Sequence, residues 1–138
     1  VIMQVAKEIG FDVILVDPFN QDNRAMSPCL SMLQEMNHPF TLHYRSSQEL
    51  EVWPKEIDLI HLDGDHEAEP LTKDLHRSTQ YLLNGGFLCC HDYGRESLPA
   101  IRLTVDRFLR EQKALMKGGE WVEIGVAGTL GVWKWLLL

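Results

Sequence analysis

The sequence predicts an α/β domain built on a mostly parallel β-sheet that turns antiparallel at its C-terminal end. Three observations predict it. β-branched apolar runs alternate with segments of helical spacing through most of the chain. Three of those runs close on acids, Asp17, Asp63 and Asp92. The last two runs, Trp121 to Val126 and Leu130 to Trp135, follow one another with no helix between, as an antiparallel pair would. A length of 138 residues suits one domain, residues 1–138.

Taken in order, Ile2, Val5, Ala6 and Ile9 are spaced as one face of a helix that Gly10 closes. Phe11 to Asp17 is apolar on both faces, as in a buried parallel strand. Ser27-Pro28 caps a helix carrying Leu30, Leu33 and Met36, which Asn37 ends. Phe40, Leu42 and Tyr44 alternate with polar residues, which predicts a strand, and a short helix fits residues 46–56. Ile57 to Asp63 is the next strand. A helix is expected from Glu67 to Leu83, with Leu71, Leu75 and Leu82 on its apolar face and Asn84-Gly85-Gly86 as its stop. Phe87 to Asp92 forms another strand, and Leu98, Ile101, Val105 and Phe108 mark another helix.

Composition narrows the function. A formal net charge of −7 without a basic run argues against a nucleic-acid partner. No apolar stretch of about 18 residues and no signal peptide are present, which excludes a spanning helix and points to the cytoplasm. Cys29, Cys89 and Cys90 lack a Cys-x-x-Cys spacing and read as buried reduced thiols.

In parallel sheets ligands gather at the carboxyl ends of the strands. Asp17, Asp63 and the His91-Asp92 pair are therefore expected on one rim. Two carboxylates and an imidazole at neighbouring strand tips would bind a divalent cation, share a proton or meet a positive substrate, since unpaired like charges are costly. Oxygen ligands suit Mg²⁺, Ca²⁺ or Mn²⁺, and His91 tilts the choice toward Mn²⁺, Fe²⁺ or Zn²⁺. Asp17 stands where a carboxylate accepts both ribose hydroxyls. Asp65 reads as a helix N-cap. His66, at a helix start facing the same edge, could take a proton near neutral pH. His38, His43, His61 and His76 read as ordinary.

The segment Ile57-Asp-Leu-Ile-His-Leu-Asp-Gly-Asp-His66, followed by a helix and Leu83-Asn-Gly-Gly-Phe-Leu-Cys-Cys-His-Asp-Tyr93, resembles the fourth and fifth strands of class I methyltransferases. The likeness is to the small-molecule O-methyltransferase-like group with a DGDH…HDY pattern, and Val13 to Phe19 looks like that fold's second strand. The resemblance implies a Rossmann-like methyltransferase sandwich using S-adenosylmethionine and a small-molecule acceptor. It implies that Asp17 binds ribose, that Ser46 or Ser47 lies near adenine, and that Asp63 stands at the cofactor edge. In the related catechol-type enzymes an Asp-x-Asp-Lys motif and an Asp-Asn pair end these strands. By that correspondence His66 falls on the catalytic lysine, and Asp63, His91 and Asp92 fall on the metal ligands. The opening helix looks like the one after the family's glycine-rich loop, which implies that the first strand and that loop are missing from the N-terminus. Val122 to Gly131 looks like the same loop displaced by circular permutation. The strand-like Val132 to Trp135, with no helix after it, favours a hairpin instead.

Two other classes fit the same residues. One is a non-catalytic remnant whose open strand edges, with the apolar tail Trp135 to Leu138, form a homodimer. The other is a metal-dependent hydrolase or hydroxylase-like enzyme at the acidic rim.

Overall fold

The computed structural model describes residues 8, 10, 12–18, 31, 34, 35, 37–53, 56–115 and 118–138. The predicted helix over residues 1–9, most of the helix over 28–37, and Cys29 lie outside the described residues. Contacts divide the chain into two compact units, Val1–Glu51 and Val52–Leu138.

In the first unit, β1 (Val13–Val16) and β2 (Phe40–His43) pair in parallel with Val13 opposite Phe40 and Val16 opposite His43. The ladder runs on to Asp17, whose N–H donates to His43 O at 3.2 Å. A 3₁₀ turn, Ser47–Glu49, follows. Ser46 caps it reciprocally: its Oγ accepts from Gln48 N at 3.1 Å, and its own N–H donates to Glu49 Oε2 at 3.0 Å.

The second unit holds a four-stranded sheet of order β3-β4-β6-β5, in which β3 is Ile57–Leu62, β4 Leu82–Cys90, β5 Gly119–Ala127 and β6 Leu130–Leu137. β3 and β4 are parallel; β4 with β6 and β6 with β5 are antiparallel. This is the expected switch from parallel to antiparallel. The terminal hairpin, not a cofactor loop, is what Val122 to Gly131 forms. Its turn is Gly128-Thr129, with Gly128 at φ 62, the positive φ that two-residue hairpins favour at their first central position.

The crossover helix α1 is Ala68–Thr79, which ends four residues before the Leu83 that its sequence pattern suggests. Local hydroxyl bonds and one tertiary tie mark its end. Ser78 and Thr79 hydroxyls donate back to Asp74 O and Leu75 O at 2.7 and 2.6 Å, and Ile57 N bonds Tyr81 O at 2.9 Å, tying the chain to β3. Leu82 therefore opens β4 instead of closing the helix face. Asn84-Gly85-Gly86 is not the helix stop but an irregularity inside β4: Ile57 faces Leu82, yet Leu59 already faces Phe87. Gly85 takes φ 83 there, a conformation that disfavours side chains, and Asn84 Oδ1 accepts the Leu137 N–H at 2.9 Å.

Helix α2, Pro99–Leu115, begins on the proline that suits a first helical position. Ile101, Val105 and Phe108 form its buried stripe, and Leu71 and Leu75 form that of α1. Both stripes pack with the cross-strand row Ile60–Leu88–Trp133 and with Cys90 and Tyr93. Each large side chain so buried contributes about 1.5–3 kcal/mol. Burial raises the Cys90 thiol to about 12, so Cys90, like buried Cys89, stays a protonated apolar filler. His76, expected on a polar face, instead meets Phe108 edge-on with ring centroids 5.0 Å apart, and Gln112 Nε2 lies 3.4 Å from its Nδ1. No helix among the described residues is long and apolar enough to cross a membrane.

Candidate active site

The parallel ladder of β3 and β4 places two loop starts side by side. The His91 N–H bonds Leu62 O at 2.9 Å, so Asp63 and His91 leave the sheet together. His91 Nδ1 lies 3.0 Å from Asp63 Oδ1 and 3.5 Å from Asp92 Oδ2. His66 Nε2 reaches the same Asp92 oxygen at 3.5 Å. The result is an alternating row, Asp63–His91–Asp92–His66, in which each imidazole faces a carboxylate. Three of the four side chains are 42–52% exposed, whereas that of Asp92 is only 6% exposed. Nδ1 of His91 is itself buried and has no aligned hydrogen-bond partner among the described residues. Asp63, His66 and His91 also line one pocket with Leu62 and Ile101.

Asp92 has φ 56, an unusual left-handed conformation for a residue other than glycine. The turn around it is tied down. Arg95 N bonds Asp92 O at 3.0 Å, Gly94 N bonds Thr129 O at 3.0 Å, and the Tyr93 hydroxyl donates to Asp106 Oδ1 at 2.8 Å. Burial and that hydrogen bond push the Tyr93 phenol up to about 12. Held strain of about 1–2 kcal/mol at a strand end is common at functional sites.

Sequence reasoning missed Arg95. Its Nη1 donates to Asp92 Oδ2 at 3.3 Å and its Nε to Ser97 Oγ at 3.2 Å. A cation three residues past a strand-end acid in a turn is the only signal it leaves. Asp65 was expected as the N-cap. Glu67 occupies that position without a side-chain cap bond, while Asp65 Oδ1 accepts the Glu67 N–H at 2.9 Å. His61, behind the rim and 6.3 Å from the His91 ring, has its pKa lowered chiefly by burial, with opposing help from Asp63.

Asp63, His91 and Asp92 do come together, as a metal reading requires. Among the described residues, however, no group of three or more His, Cys, Asp or Glu side chains is placed to hold a metal ion. The row is strung out as nearest pairs; its donors do not close around one point. Asp17 sits at the carboxyl end of β1, exposed, in the other unit, and Ser46 and Ser47 follow β2 at the same end of that two-stranded sheet. The Ser46 hydroxyl is engaged in capping.

A parallel-to-antiparallel α/β sheet with acids and imidazoles at the tips of its parallel strands is the arrangement of a Rossmann-like domain. The chain belongs to the methyltransferase-domain family, which matches residues 1–93. Solved structures share the fold at low identity. The O-methyltransferase NovP is 15% identical, with a TM-score of 0.66 over 96% of this chain and 64% of that one. An rRNA methylase from Streptococcus thermophilus is 14% identical, with a TM-score of 0.59 over 97% and 79%. A protein from Streptococcus mutans named as a methyltransferase and solved in complex with SAH is 13% identical, with a TM-score of 0.62 over 91% and 76%. The chain thus spans less than two thirds of NovP. None of the curated proteins compared with it matches.

Proposed function

We propose that this chain serves methyl transfer from S-adenosylmethionine to an oxygen of a small molecule. The observation that carries the reading is the Asp63–His91–Asp92–His66 row at the ends of β3 and β4. An oxygen acceptor must lose its proton to become a good nucleophile, and a carboxylate-oriented imidazole is a fitting group to take it. When bound, S-adenosylmethionine supplies an electrophilic methyl group on its sulfonium. His66 would accept the acceptor's proton, with Asp92 holding its Nε2 side. Most of the remaining rate enhancement would come from positioning.

A small molecule is preferred over RNA because the chain carries a net charge of −7 and the rim itself holds two carboxylates. Asp17, at the end of β1, would accept the ribose hydroxyls, and Ser46 or Ser47 would lie near the adenine. The reading routes no step through a divalent cation: among the described residues no group of three or more His, Cys, Asp or Glu side chains is placed to hold one.

Calorimetric titration with the demethylated product, S-adenosylhomocysteine, tests the cofactor assignment. Micromolar binding is expected, weakened about tenfold or more by Asp17→Ala, in line with losing a charge-assisted hydrogen bond. Undiminished binding by Asp17→Ala would remove Asp17 from the site.

A further inference from the structure

We propose that the Arg95 guanidinium takes, at this rim, the electrostatic place of a divalent cation. The proposal rests on reading the rim as the acceptor side of a methyl-transfer site. Asp63 and Asp92 both approach the same His91 Nδ1, at 3.0 and 3.5 Å. Two carboxylates so near each other need a positive partner, above all Asp92, which is buried. Three nitrogens face Asp92 Oδ2: His66 Nε2 at 3.5 Å, His91 Nδ1 at 3.5 Å and Arg95 Nη1 at 3.3 Å. Only the guanidinium is cationic at every working pH.

Arg95 is also set in place before any ligand arrives. Its backbone N–H closes the turn on Asp92 O at 3.0 Å, and its Nε is fixed on Ser97 Oγ at 3.2 Å. A Mg²⁺ or Mn²⁺ ion would need Asp92 Oδ2 at about 2.0–2.2 Å with several further donors around it. The guanidinium already facing that oxygen opposes this, and among the described residues no group of three or more His, Cys, Asp or Glu side chains is placed to hold a metal ion. About half of the Arg95 side chain stays exposed, so the charge that clamps Asp92 remains open to an oxygen gaining negative charge.

Mn²⁺ titration followed by the electron paramagnetic resonance signal of the free ion tests this without cofactor or acceptor. Its outcome is therefore independent of S-adenosylhomocysteine binding. The wild-type chain is expected to leave Mn²⁺ free. Arg95→Met and Arg95→Gln, each checked for folding by circular dichroism, are expected to bind one equivalent about tenfold or more tightly than wild type, because the acid pair then lacks its counter-charge. Adding Asp92→Asn to either should abolish that gain. Stoichiometric Mn²⁺ binding by the wild type, lost in Asp92→Asn, would overturn the proposal. So would folded Arg95 variants that leave Mn²⁺ as free as the wild type does.

Discussion

Asp92→Asn is expected to lower the methyl-transfer turnover number by about 10²–10⁴-fold, the usual weight of an oriented proton acceptor. The substitution is chosen to remove charge and little else. Asn is among the residues that tolerate φ 56, whereas Ala there would add strain of about 1–2 kcal/mol. The amide keeps the volume of the carboxylate, so the buried turn between β4 and α2 has no cavity to absorb. What changes is the partner of three nitrogens, on His66, His91 and Arg95, that now approach Asp92 Oδ2 within 3.5 Å. An amide at that position can present a donor to His66 instead of an acceptor, so the imidazole loses its fixed orientation. Steady-state kinetics should show the fall in kcat with S-adenosylhomocysteine affinity preserved. A kcat within threefold or so of wild type would show that the chemistry does not pass through this row.

Phe108→Ala is expected to destabilise the Val52–Leu138 unit by about 3–5 kcal/mol. Phe108 is 1% exposed and stands in the centre of the α1–α2–sheet core. Its ring meets His76 edge-on at 5.0 Å and lies 6.4 Å from Trp121, so truncation strips contacts from both helices and from β5 together. Against a total stability of about 5–15 kcal/mol, such a loss approaches unfolding at 37 °C. Urea denaturation read by tryptophan fluorescence should show a much lower midpoint with an unchanged slope. A loss below about 1 kcal/mol would mean that the core is organised around other residues.

Much of this architecture is legible in the residues themselves. Apolar runs mark each of the six strands among the described residues, because buried parallel strands and a terminal hairpin leave different traces: Val13–Val16 is apolar throughout, while Leu130–Leu137 alternates in burial along its length. The stripe of Ile101, Val105 and Phe108 located α2 for the same reason. The helical spacing overruns the end of α1 because Leu82 continues it; the tie between Ile57 and Tyr81, just before β4, is a tertiary contact with no local signature. Gly85 and Gly86 look like a helix stop in sequence but serve an irregular pairing with β3, which only the register reveals. At the rim, strand-end position is the trait that singles out Asp63, His91 and Asp92, which the structure brings together with His66 from the start of the next helix; Asp17 belongs to the other unit. The clamp from Arg95 was not foreseen, since a half-exposed arginine in a turn is ordinary until its partner is known to be buried.

The most direct test of the central claim is transfer of a labelled methyl group from S-adenosylmethionine to a panel of hydroxylated small molecules, with ribosomal RNA in parallel. Label is expected on the oxygen of a small acceptor, strongly reduced by His66→Gln. Label confined to RNA, or transfer to the small acceptor that proceeds undiminished in His66→Gln, would contradict it.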